Sequence, residues 1–305
     1  MSRSHHLGRR EAERIGRVPD YGSPSIRRRQ LSAELRRLRE RAGLNGDEAA
    51  DRLGWSASKI SRIELHRIGI KAADLRKLLD LYGVDDGRRQ ELLALAHDSG
   101  RTGWLEAIAA PFPPEYSAYL YAEAEAREVW NWEPQIVPGL LQTADYARAV
   151  MHSWQAMFNL PPGETDRRIE ARMIRQQVLN RDPSLQLSAV LDESVLQRRF
   201  GDERVVRKQL KTLIEMSHQP NIRMQVFLLS NADPIAAGPF SVMKFPQVYD
   251  LKLPDLVVLE QMTGNFYLED EEDTYKYHVA FERLMDKALN PAQSRDLIAK
   301  LVRDR

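Results

Sequence analysis

GDEAADRLGWSASKISRIE, residues 46–64, decides how the first part of this chain folds. Ala49, Ala50 and Leu53 recur at helical spacing behind Asn45, whose side-chain oxygen can cap the first amides of a helix. Gly54 breaks the pattern, as the residue that most readily takes the positive φ of a tight turn. Ser56 is placed to cap a second short helix whose apolar residues are Ile60 and Ile63. Two small alanines let the helices approach closely. With Ile60 and Ile63 turned inward, the opposite face presents Ala57, Ser58, Lys59, Ser61 and Arg62. A helix, a glycine turn and a second short helix have the layout of a helix-turn-helix. Short side chains at the start of its second helix suit the DNA major groove, where a recognition helix brings its first turn to the base edges. Ser58 and Ser61 can donate or accept there, and Arg62 can fork onto a guanine. The expected base-facing residues are therefore Ala57, Ser58, Ser61 and Arg62. Lys59, Ser56, Asn45 and Gly46 are the expected phosphate contacts, the last two at a helix start whose amides favour an anion. The competing account is an ordinary helical hairpin with a solvated polar face.

Outward from this motif the chain divides in two. Residues 1–25 carry Gly, Pro, Ser and charge without apolar period, and read as a disordered basic tail. Leu31, Leu35, Leu38 and Ala42 then share one helix face, which Gly43 ends. Leu75, Leu78, Leu79 and Tyr82 mark a fourth helix, and Leu92, Leu93, Leu95 and Ala96 a fifth. Residues 26–98 are thus expected to form an all-α helix-turn-helix domain of about five helices. Residues 99–110, opening with SGRTG, read as a linker, and PFPPEY at 111–116 begins a second domain, 111–305. There, helical patterns at 115–130, 139–153, 163–180, 203–218, 271–289 and 292–303 alternate with apolar runs at 185–191, 222–229, 240–245, 256–260 and 265–269. The apolar runs read as strands, so the second domain is expected to be α+β. Trp130, Trp132, Tyr146 and Trp154 fall at core positions, and Thr143 can cap the helix that follows it. The acidic run Glu269–Asp273 reads as a helix start favoured by the dipole rather than as a metal cluster. Asp192 and Glu193 read as a cap and first turn rather than as an acid–base pair.

Composition narrows the function classes. Hydrophobic residues make up 43% and charged residues 29% of the 305, the balance of a folded globular protein. There is no cysteine, which excludes disulfides, thiolate metal sites and cysteine nucleophiles. The seven histidines are scattered, with no HExxH. No metal and no cofactor is therefore expected, and no enzyme. No run of about 18 apolar residues predicts a membrane span, and the first residues lack the apolar stretch of a secretory signal. A cytoplasmic, nucleoid-associated protein is expected. Net charge is +1, but residues 1–70 hold 16 Lys/Arg against 9 Asp/Glu, so the remainder is acidic. A basic first part suits a polyanionic partner, double-stranded DNA.

The stretch LRRLRERAGLNGDEAADRLGWSASKISRIE resembles the Xre/Cro-type helix-turn-helix. That resemblance implies an acidic closing residue on the third helix, Glu64, paired with a first-helix arginine, Arg36 or Arg39. The family carries Gln where this chain has Gly46, and Gly where it has His66. In the second domain, WEPQIVPGLLQTADYARAV (132–150), EARMIRQQVL (170–179), VLDESVLQRR (190–199), AGPFSVMKFP (237–246) and FYLEDEEDTYKY (266–277) follow in order. Together they resemble the actinobacterial regulators that join an Xre-type domain to an antitoxin-like DUF5753 domain. This resemblance implies a DNA-binding transcription regulator whose C-terminal domain binds a small DUF397-type protein. A homodimer is expected, because one short helix reads few bases. Two alternatives stay open: a repressor whose C-terminal domain holds a small-molecule effector, and an enzyme with an accessory DNA-binding domain.

Overall fold

The computed structural model describes residues 26–65, 68–98, 105, 108–158, 162–231, 238–247, 254–261 and 264–305. The expected disordered tail, 1–25, lies outside these residues, as do His66 and most of the expected linker.

The first domain is all-α: α1 (Ile26–Arg41), α2 (Gly46–Leu53), α3 (Ala57–Glu64), α4 (Ala72–Leu81) and α5 (Asp86–Asp98). Their apolar faces meet in one core that includes Leu31, Leu35, Ala49, Ala50, Ile60, Ile63, Leu75, Leu79, Leu92 and Leu95. Burying a leucine such as Leu35 contributes about 1.5–3 kcal/mol relative to leaving it exposed. The turn from α2 to α3 needs its glycine. Gly54 sits in the left-handed region at φ 66°, and its amide closes α2 by donating to Ala50 and Asp51 carbonyls. The Trp55 amide donates to the Ala50 carbonyl at 2.8 Å, which fixes the direction in which α3 leaves.

The second domain is α+β. Its helices are α6 (Pro114–Glu125), α7 (Ala144–Phe158), α8 (Pro162–Arg175), the short α9 (Glu193–Gln197), α10 (Glu203–Met216), α11 (Glu271–Lys287) and α12 (Pro291–Arg303). Its strands are β1 (Glu128–Glu133), β2 (Gln186–Asp192), β3 (Ile222–Phe227), β4 (Phe240–Lys244), β5 (Leu256–Gln261) and β6 (Gly264–Leu268). They form one sheet in the order β3-β2-β1-β4-β5-β6. β1, β2 and β3 are parallel, which the helical crossovers between them make possible. β4, β5 and β6 continue antiparallel from β1.

Two cores cover the two faces of the sheet. Val129, Leu187, Ala189, Met224, Val226, Met243 and Val258 pack with residues of α6, α7, α8, α10 and α12. Trp130, Trp132, Val190, Phe227, Phe240, Val242 and Val257 pack on the opposite face, under Phe281 and Leu284 of α11. The expected core aromatics fall in place: Trp130, Trp132 and Tyr146 are buried, and Trp154 packs against the larger core. The caps also form. Asp270 and Asp192 accept from Glu272 and Ser194 amides at the starts of α11 and α9, and Thr143 Oγ1 accepts from the Tyr146 amide at 3.3 Å.

The structure departs from expectation in three places. The helix expected over 115–130 stops at Glu125, and residues 128–133 form β1, the strand shared by the parallel and antiparallel halves of the sheet. EVWNWE hides its strand character, because one of its alternating faces carries Asn131 and Glu133 rather than apolar side chains. The helices expected at 139–153 and 163–180 each include a 3-10 turn, Gly139–Leu141 and Gln176–Leu179. Finally, two residues of the expected 99–110 linker, Leu105 and Ala109, are buried members of the larger core.

Candidate nucleic-acid interface

α3 is oriented from both sides. Ile60 and Ile63 are each 2% exposed, whereas Ala57, Ser58, Ser61 and Arg62 are all exposed. At its last residue, Glu64 is held by Arg39 of α1 through two hydrogen bonds, from Nε at 2.7 Å and from Nη2 at 2.9 Å. Of the two arginines that the sequence left open, Arg39 is the partner. Its remaining nitrogen, Nη1, donates to the Leu44 carbonyl at 2.8 Å. One guanidinium thus ties α1, the turn before α2, and the end of α3. The hydrogen bonds that it donates to Glu64 hold Arg39 even more firmly protonated than usual, despite the opposing effect of burial. Planar forks of this kind fix geometry as well as energy.

The exposed face of α3 borders an open groove of about 410 Å³. Ala57, Ser58 and Ser61 line it from α3, Gly46 and Asp47 from the start of α2, and Arg36 from α1. Four expected site residues therefore share one concavity. Arg36 joins them, a contribution the sequence reading assigned only as a possible partner for Glu64. Its exposed position between Leu35 and Arg37 was the available signal. It pairs with Glu40, one turn along the same helix, at 3.0 Å and largely in solvent, where such pairs contribute little.

The structure places the other expected contacts differently. The ammonium of Lys59 lies 2.8 Å from Asp74 of α4 and 3.6 Å from the centre of the Trp55 ring. It links α3 to its neighbours, because the carboxylate and the aromatic face both attract its positive charge. Ser56 occupies the cap position of α3 without a side-chain capping bond, and its hydroxyl lies 3.1 Å from that of Ser58. Asn45 is engaged in a capping box: its side chain accepts from the Glu48 amide at 2.9 Å, and its own amide donates to the Glu48 carboxylate at 2.8 Å. With Asp47 and Glu48 in the first turn, negative charge already occupies the dipole end. Arg62 folds back, its Nε donating to the Ser58 carbonyl at 3.2 Å. The bond leaves the guanidinium exposed on the groove-facing helix.

Among the described residues no group of three or more His, Asp or Glu is gathered to hold a metal ion. No helix among them is long and apolar enough to cross a membrane. Comparison with known families adds to this geometry. Residues 30–92 match a helix-turn-helix domain. Residues 116–300 match the domain of unknown function DUF5753. No curated protein and no solved structure matches the chain. With the latter domain spanning more than half of its length, the chain belongs to the DUF5753 family and carries that domain behind a DNA-binding helix-turn-helix.

Proposed function

We propose that this protein is a sequence-specific transcription regulator that binds DNA as a homodimer, with α3 in the major groove. The observation that carries this reading is the exposed row Ala57, Ser58, Ser61 and Arg62, turned outward by buried Ile60 and Ile63 and clamped by the Arg39–Glu64 fork. Ser58 and Ser61 meet base edges directly. Arg62 leaves its own helix to fork onto a guanine, a contact worth about 1–3 kcal/mol of discrimination. Gly46 and Arg36 sit where the walls of the groove approach phosphates, and Arg36 takes the role that the sequence suggested for Lys59. The C-terminal domain receives the signal, with a small DUF397-type protein as its partner on the strength of the sequence resemblance. The site of action is then the nucleoid, in the cytoplasm.

The experiment is genome-wide mapping of bound DNA, followed by titration of one recovered operator against shuffled DNA of the same length. Discrete peaks and a clear preference for the operator support the reading. Uniform occupancy, with equal affinity for both duplexes, sinks it.

A further inference from the structure

The C-terminal domain carries a basic row that its own fold does not use. Residues 71–305 hold 29 Lys/Arg against 35 Asp/Glu, yet residues 198–211 hold six against two. Four of the six, Arg204, Arg207, Lys208 and Lys211, belong to α10. Val206, Gln209, Leu210 and Leu213 are buried, and fix which side of this helix meets the core. At about 3.6 residues per turn the four cations fall together on the opposite side, and all four are exposed. Glu215, one turn further on, ends the row.

Folding by itself does not favour this arrangement. The four cations are neighbours three or four residues apart, where like charges destabilise a helix. The last turn of α10 holds no basic residue, so the cations are not placed where the helix dipole would favour them. Arg204 bonds to Asp202 at 3.0 Å, and Lys208 to Asp145 of α7 at 2.8 Å. Both pairs are exposed to solvent, where such pairs contribute little. Arg207 and Lys211 have no ion-pair partner among the described residues.

The chemistry of the row selects its occupant. None of the exposed large apolar side chains among the described residues lies on α10. A protein partner binds chiefly through buried aromatic and apolar anchors, whereas a phosphate backbone asks for cations and little else. From Arg204 to Lys211 the helix advances about 10 Å, the rise of about three nucleotides of one DNA strand. We infer that the outer face of α10 is a second, sequence-independent DNA contact. Arg207 and Lys211, with Arg204 and Lys208 beside them, bind phosphates that flank the site read by α3. This contact rests on the DNA-binding reading above: once α3 is bound, the covalent link holds α10 at high effective concentration near the flanking duplex. It adds affinity without adding base preference.

The test measures the affinity of the full-length protein against salt for two duplexes. One is a recovered operator alone, and the other is the same operator extended on both sides by one to two helical turns of unrelated sequence. The parent is expected to bind the extended duplex more tightly. That gain should fall about tenfold between about 50 and 200 mM salt for each chain whose Arg207 and Lys211 are engaged. Arg207→Ala/Lys211→Ala should lose the gain, lower the slope of log affinity against log salt on the extended duplex by about 2 per chain, and keep the parent's affinity for the short one. Arg283→Ala/Lys287→Ala removes the same charge from α11, on the other face of the sheet, and should keep the gain. No gain in the parent, or an equal loss in the α11 variant, overturns the second contact. So does an unchanged slope in the α10 variant, which leaves the row to an acidic protein or to solvent. A parent with no preference for operator over shuffled DNA fails the regulator reading instead. The slopes of parent and α10 variant on one long random duplex then decide the α10 contact by the same criterion. If the α10 variant melts below the parent, Arg207→Gln/Lys211→Gln takes its place.

Discussion

At the scale of single residues, the exposed and the enclosed side chains of α3 lead to different expectations. Arg62 is exposed and its bond to the Ser58 carbonyl lies within its own helix, so Arg62→Ala should leave folding intact. The variant is expected to lose operator preference by about 1–3 kcal/mol, with little change on random DNA. Equal loss on both duplexes in a binding assay would remove Arg62 from the base-reading set. Arg36→Ala should instead weaken all duplexes alike and lower the slope of log affinity against log salt by about 1. An unchanged slope would exclude a phosphate contact. Arg39 and Glu64 are nearly enclosed, with side chains 11% and 10% exposed. Removing either one strands its partner, and Arg39→Ala should cost about 3 kcal/mol in denaturant unfolding, the lower end for a buried pair. Lys59 belongs with this second group. Its bond to Asp74 joins residues 15 apart in sequence, and nothing in the local pattern around Lys59 announced it.

At the scale of elements, periodicity did its best where one helix face is apolar and the other wet. α2 and α3 were legible for that reason, and so were their stop and start signals. Gly54 is needed for conformation alone, because a Cβ there meets nothing within 4 Å. Gly54→Ala should therefore cost about 1–2 kcal/mol through the left-handed backbone, without disturbing the core. A crystal structure of the variant showing displaced α2 or α3 would contradict this. β1 was illegible because it is buried on both faces and one of them carries Asn131 and Glu133. Burial holds the Glu133 carboxyl well above the usual range, and the Glu260 carboxylate adds to the effect, while Arg172 and Arg175 oppose it. Because its folded value is raised, the group favours the native state at acid pH, and that contribution is lost as pH rises above the unfolded value. Glu133→Gln removes the loss. Its melting temperature relative to the parent should climb between about pH 5 and 8. A gap that is flat or shrinks with pH would show that Glu133 is not the titrating group.

At the scale of the whole molecule, one α3 reads too few bases for an operator, so two copies are expected on half-sites about 34 Å apart. Footprinting should show two protections one helical turn apart, and sedimentation of the complex should give two chains per duplex. A single protected patch with one chain bound would rule out the dimer. The amino-acid sequence by itself determined the five-helix unit, the outward row on α3, five of the six strands and the two-domain order. Each of these rests on contacts between residues close in the chain, or on a face whose polarity is uniform. Only the tertiary structure decided that Arg39 rather than Arg36 holds Glu64, that Lys59 is bound to Asp74, and that EVWNWE is the strand where the parallel and antiparallel halves meet. It alone brought Glu123, Asn131, Glu133, Arg175 and Glu260 around one pocket. These choices depend on side chains far apart in the chain meeting in a water-poor interior. There the energy of a charge is set by its neighbours and not by its place in a local pattern.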